Sequence, residues 1–173
     1  MISVAEAIRI VREQTNVLTS ELVPLENVRG RFLAENIVAD TDLPPFDRSQ
    51  MDGYALRAGD AQHVPARLRI VGESAAGRGW HDEIKPGEAV RIMTGAPVPG
   101  GADSVQQVEL TREVEDSGEV EIRQIPALGK SIVRRGSEIK KGETVLVAGE
   151  QISAATMAVL ASFGCAQVSV TRQ

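Results

Sequence analysis

From Pro44 to Pro126 the chain shows no helical period, and it enters that region through twelve residues, PPFDRSQMDGYA, that no regular element can hold. Pro44 and Pro45 fix the backbone and remove hydrogen-bond donors. Asp47, Arg48 and Ser49 add polar groups suited to turns, and Asp52-Gly53 opens a run, Tyr54-Ala55-Leu56, that reads as a strand beginning. An isolated Asp-Gly pair is by itself most simply a turn, so the weight of this stretch comes from what accompanies it.

Beyond this loop the chain has the rhythm of short antiparallel strands. Tyr54 to Arg57, Leu68 to Val71 and Ala89 to Met93 are strand-like, with Gly59-Asp60, Pro65 and Pro86-Gly87 between them. Gly72 to Trp80 is expected to be mobile, with Trp80 as a lid over a local core. The third strand delivers the chain into a second loop, Met93 to Asp103, MTGAPVPGGAD. Ser104 to Val114 and Glu119 to Ile125 then read as two strands joined through Glu115-Asp116-Ser117-Gly118, with the glycine placed for positive φ. That hairpin is rich in Glu and Asp, as a solvated face would be. The next segment reverses the sign: Arg123, Lys130, Arg134, Arg135, Lys140 and Lys141 make it the anion-facing candidate, although a lysine-protected strand edge reads equally well.

Helices belong to the flanks. Ser3 and Glu6 have capping-box spacing ahead of an apolar face on Val4, Ala7, Ile8 and Val11, which predicts a helix over residues 4–14. Ser153 to Phe163, closed by Gly164, predicts a second helix, apolar nearly all round and therefore buried or covered by another domain. Short strands are expected at Leu22 to Leu25, at Ile37 to Ala39, at Thr144 to Val147 and at Gln167 to Thr171. The fold class is α+β and strand-rich, with a β-rich subdomain over 44–126 inserted into a discontinuous mixed α/β subdomain over 1–43 and 127–173. Aromatics are only 3% of the chain, so Val, Ile, Leu and Ala must fill the cores.

A net charge of -5 argues against nucleic-acid binding, which relies on basic surface. No apolar run reaches the ~20 residues of a bilayer span, and a cytoplasmic protein is expected. The single cysteine, Cys165, sits in an apolar context and reads as a buried small residue. His63 and His81 accompany no nucleophile motif, no Cys/His metal cluster is apparent, and no phosphate-binding glycine loop occurs. Any catalysis must work by positioning and electrostatics.

The loops at Pro44–Ala55 and Met93–Asp103, supported by VRGRFLA at 28–34, RGSEI at 135–139 and LASFG at 160–164, resemble the N-terminal region of the molybdopterin molybdenumtransferases, the MoeA and gephyrin E-domain family. The resemblance implies an elongated molecule in which one subdomain is inserted into another, a homodimer, and a reaction that inserts molybdate into adenylylated molybdopterin to release molybdenum cofactor and AMP. It implies catalytic roles for Asp52, Thr94 and Glu138, the last standing where aspartate is usual. Arg48 stands where many members have asparagine. Asp47, Ser49, Arg134 and Arg135 become cofactor-binding candidates, with the arginines able to steady molybdate or phosphate charge. Magnesium is implied as a cofactor, held with the pterin mainly by a domain beyond this chain, so the chain alone is expected to be inactive; no metal ligand is assigned within it. The enzyme that adenylylates molybdopterin is the implied pathway partner. The gephyrin branch implies an alternative, a non-catalytic scaffold module of the same fold.

Overall fold

The computed structural model describes residues 2–16 and 18–172. In chain order the elements are α1 (Val4–Gln14), β1 (Ser20–Pro24), β2 (Ile37–Val38), β3 (Arg48–Ser49), β4 (Gly53–Leu56), β5 (Ala66–Ser74) and β6 (Glu88–Ile92). They continue with β7 (Ser104–Gln107), β8 (Thr111–Val114), β9 (Glu119–Ile122), β10 (Ile132–Val133), β11 (Thr144–Leu146), α2 (Ala154–Ser162) and β12 (Gln167–Thr171). The fold is α+β and strand-rich. The chain divides into two compact units, Met1–Thr41 with Gly142–Gln173, and Asp42–Lys141 between them.

In the discontinuous unit β1 pairs antiparallel with β12, and β2 pairs antiparallel with β11. Val28, Leu33, Leu146, Ile152, Leu160, Val168 and Val170 form its core, drawn from both chain segments. Both helices start on a serine cap, where the hydroxyl accepts an otherwise unpaired N–H: Ser3 from Glu6 and Ser153 from Thr156, each at 3.1 Å. Gly164 ends α2 in the left-handed region, at φ +71°. α2 is not enclosed within the described residues, against the first of the two expectations for it. It buries only Thr156 and Leu160, and its exposed surface is mainly alanine, which presents little apolar area.

The inserted unit is built on a six-stranded sheet in the order β7-β4-β6-β5-β9-β8. All of its pairings are antiparallel except β5 with β6, which run parallel because residues 75–87 cross over instead of turning back. The short strands are thus not uniformly antiparallel as expected. β4 and β8 lie four places apart in the sheet, yet the Tyr54 hydroxyl donates to Glu113, so the sheet is curled. Its inner face carries Tyr54, Leu56, Leu68, Ala89, Val120 and Ile122, while Ala55, Val90, Ile92 and Val105 face outward onto Ile84, Ala96 and Ile132.

Gly53 is required by close packing: a Cβ there would run into the carbonyl oxygen of Gln106 on β7. The Gly72–Trp80 segment, expected to be mobile, is tied down. β5 runs on to Ser74, Ala75 and Arg78 exchange backbone hydrogen bonds at 3.0 Å, and the indole of Trp80 fills the space over Gly72. Trp80 packs on the outer core, in keeping with its reading as a lid.

The inserted unit begins at Asp42 and ends at Lys141, whereas the sequence placed its limits at Pro44 and Pro126. Residues 127–141 belong to it because β10 pairs with β3 and because Asp42 and Asp47 bind the backbone and arginines of 134–141. The two crossings between the units are held on each side: Lys141 N–H donates to Asp42 at 2.9 Å, and Gly142 N–H donates to Ala39 O at 2.8 Å.

Candidate functional site

Asp52 and Thr94 come from the two motif loops and meet at one end of the curled sheet. Gly53 lies opposite Ile92 in the β4–β6 register, so the residues just outside those strands are placed side by side. Asp52 Oδ1 accepts from the Thr94 backbone N–H at 2.6 Å and from the Thr94 hydroxyl at 2.7 Å. The N–H first and the hydroxyl second hold the Asp52 carboxyl below its ordinary range, so the aspartate is ionised at neutral pH. The threonine hydroxyl is spent as a donor on Asp52. What this pair offers a ligand is therefore acceptor oxygen, from Asp52 Oδ2 and the lone pairs of Thr94 Oγ1, and not a donor for an oxyanion.

Beside Asp52 is a cleft of about 290 Å³ lined by Gly53, Tyr54, Arg91, Met93 and Val108 among others. Glu113 accepts from both the Tyr54 hydroxyl and Arg91, the latter at 3.2 Å, and closes one side of the sheet end. Burial first, and Glu113 second, push the Tyr54 phenol up to about 12. A larger groove, about 590 Å³ around Arg78, Trp80, His81 and Asp82, shares no residue with this cleft and includes neither Asp52 nor Thr94. The chemistry points to the smaller cleft.

The loop that carries Thr94 continues alongside β3. Gly95 N–H donates to Ser49 O at 2.9 Å, Ser49 N–H to Ala96 O at 2.9 Å, and Val98 N–H to Asp47 O at 2.8 Å. Ser49 is fully buried, and its hydroxyl donates to Met51 O at 2.6 Å, so it shapes the first loop from within. Asp47 accepts from Arg134 at 2.5 Å and from the Arg135 backbone at 2.8 Å, while the Arg135 guanidinium reaches Asp42 at 2.6 Å. Burial works against the charge on Asp47, but these two donors prevail and lower its pKa. Lys141 N–H first, then Arg135, lower that of Asp42.

Asp47, Arg134 and Arg135 thus hold one another. The basic segment, read as anion-facing, has both of these guanidinium groups paired within the chain. Asp42, which no sequence motif singled out, proves to be an organising residue. Glu138 is not beside Asp52 in any hydrogen bond; its carboxylate accepts from Arg48 at 3.0 Å. The two positions that stand out as unusual, Arg48 and Glu138, are therefore partners. Among the described residues no group of three or more His, Cys, Asp or Glu side chains is arranged to hold a metal ion. Among them, no helix is long and apolar enough to cross a membrane.

Residues 2–164 match the family model described as MoeA N-terminal region (domain I and II). The chain is 39% identical to the molybdopterin molybdenumtransferase of Bacillus subtilis over 178 residues, covering 99% of this chain and 41% of that protein. It is likewise 39% identical to the Staphylococcus aureus protein of the same name, covering 99% of this chain and 42% of the relative. The molybdopterin biosynthesis MoeA protein of Pyrococcus horikoshii, in two crystal structures, superposes with TM-scores of 0.86 and 0.89 at 34% identity. Those matches cover 100% and 98% of this chain and 45% and 46% of the archaeal one. The chain spans about two fifths of the length of these curated relatives.

Proposed function

Because the chain belongs to the MoeA N-terminal region family, we propose that it forms part of a molybdopterin molybdenumtransferase that inserts molybdate into adenylylated molybdopterin, yielding molybdenum cofactor and AMP. A role in molybdenum cofactor biosynthesis follows from the names of its relatives. The finer reading rests on one observation, the grip of Asp52 on both donors of Thr94. Two loops from different parts of the chain are locked together there, and the ionised carboxylate keeps one oxygen free at the rim of the cleft.

In this reading Asp52 is the residue that acts, and Thr94 orients it. The free Asp52 oxygen accepts from N–H or O–H groups of the pterin substrate and keeps it in register for molybdate. The described residues do not assemble a ligand set for magnesium, so no step is assigned to that ion. The enzyme that adenylylates molybdopterin stands upstream, as the supplier of the substrate, and the working form is a homodimer.

The test is Asp52→Asn in the full-length transferase that carries this region. Asparagine can still accept from Thr94, so the fold and the melting temperature should be kept. Insertion should fall by roughly a hundredfold, the scale of losing one well-placed electrostatic contact. Unchanged insertion by a normally folded variant would return Asp52 to a purely structural role.

A further inference from the structure

Arg48 is held by its backbone from two sides. It lies opposite Val133 in the β3–β10 pairing and opposite Pro97 of the Thr94 loop through an isolated bridge. Glu138 is equally fixed at its base, where its N–H and that of Ile139 both donate to Leu43 O, at 3.0 and 3.1 Å. Two anchored backbones thus set the reach of the Arg48–Glu138 pair, which closes at 3.0 Å through one guanidinium nitrogen and one carboxylate oxygen. Among the described residues neither side chain has another hydrogen-bond partner, and both keep exposed surface, 35% for Arg48 and 48% for Glu138. An exposed pair of this kind adds little to stability. Its effect is to aim the guanidinium.

The neighbouring cations are differently placed. Arg134 and Arg135 also pair through one nitrogen each, but with Asp47 and Asp42, carboxylates that tie down the backbone of Arg135 and Lys141 as well. Of the three arginines it is Arg48 whose backbone is bridged to the loop of Thr94. Over residues 42–48 and 130–141 the cations Arg48, Lys130, Arg134, Arg135, Lys140 and Lys141 outnumber the carboxylates Asp42, Asp47 and Glu138, so the potential there favours an anion. The Asp52–Thr94 pair presents only acceptors, so an oxyanion needs its donors from elsewhere. Arg48 sits beside Pro97, on the same loop as Thr94.

We propose that Arg48 is the oxyanion-binding residue of this region, receiving a tetrahedral oxyanion on its free N–H groups while Glu138 holds the guanidinium in position. Glu138 is then a positioning residue acting through Arg48. The planar donor fork suits two oxygens of one tetrahedral anion, which a lysine ammonium cannot match. Two sources share this chemistry, molybdate itself and a phosphate group of the pterin substrate. The inference rests on the reading that this chain serves the transferase reaction only for the identity of the anion; the binding itself is tested apart from it.

The experiment follows the arginine side-chain NMR signals of this chain, ¹⁵N-labelled, during titration with sodium molybdate and in parallel with a phosphate monoester, at constant ionic strength. Arg48 should shift saturably while Arg134 and Arg135 stay still. Arg48→Ala should weaken binding by at least about tenfold, the loss of a charge-assisted contact, and Arg48→Lys should recover only part of it. Glu138→Gln should weaken binding severalfold, and the double variant should bind no worse than Arg48→Ala alone, because Glu138 acts only through the arginine. A stronger response to molybdate than to the monoester assigns the site to the metal oxyanion, and the reverse assigns it to the pterin phosphate.

The proposal is overturned if Arg48 does not shift, if all arginines shift alike, or if the double variant is clearly worse than Arg48→Ala. Saturable binding at Arg48 alongside an unaffected Asp52→Asn transferase would sink the proposed function and leave this site standing. A silent Arg48 alongside an inactive Asp52→Asn would do the opposite.

Discussion

Tyr54 is the only tyrosine, so its ionisation can be read directly from phenolate absorbance. Its side chain is buried and its hydroxyl donates to the Glu113 carboxylate, which together push the folded pKa up to about 12, above the unfolded value of about 10. The raised value means that Tyr54 contributes its stability in full below pH 10 and loses it as the pH rises from there toward 12. The phenolate signal of the folded protein should therefore trail that of the urea-unfolded protein, and Glu113→Gln should narrow the gap. Coincident titrations would remove the buried phenol–carboxylate contact from the description.

At this scale the sequence singled out two candidate residues that the fold brings together. Asp52 and Thr94 stand in loops whose composition forbids a regular element, and the fold joins them directly. What could not be read was which partner each polar group takes. Arg48 and Glu138 are separated by 90 positions, and Asp47 and Arg134 by 87, so no local period connects them. The direction of the Thr94 hydroxyl is likewise set by a contact 42 positions away.

Among the elements, the helices were the most legible, since a serine cap and a terminal glycine act within a few residues of themselves. The expected spans 4–14 and 153–163 and the observed Val4–Gln14 and Ala154–Ser162 differ only at the ends of the second. Which helix carries surplus apolar surface was not legible, because that depends on what each packs against. α2 has its large side chains partly or fully buried. α1 buries none of its residues, and Val4, Ile8 and Val11 on one face are 78%, 50% and 62% exposed.

An apolar helical face of this kind marks an interaction surface. The homodimer that the resemblance implies would use this face, with a second copy of the chain as occupant. Light scattering of the isolated chain should show a dimer, and Ile8→Asp should restore a monomer without lowering the melting temperature, since Ile8 contributes to no core within its own chain. A wild-type monomer at millimolar concentration would exclude this face as a homodimer contact. The parallel β5–β6 pair was missed for a related reason: residues 75–87 carry turn signals that suit a hairpin as well as a crossover, and only the partner strand decides between them.

For the whole molecule, the inserted organisation has a direct test. Replacing residues 42–141 with a short Gly/Ser linker should leave the other unit folded, because its core residues all come from the segments on either side of the insertion. Retention of the β1–β12 pairing, followed by NMR, would show this, and a disordered product would mean that the outer unit needs the inner one as a template. The held crossings at Thr41–Asp42 and Lys141–Gly142 carry one more consequence. While the inserted unit is folded, the outer unit experiences it as a short, closed tether. If the inserted unit melts, the same span becomes a flexible loop of a hundred residues, and closing it costs about 2–3 kcal/mol more than closing a linker of a few residues. Each unit's melting therefore depends on the other through chain entropy alone, and damage confined to the curled sheet should loosen the outer unit by that amount without touching any of its side chains.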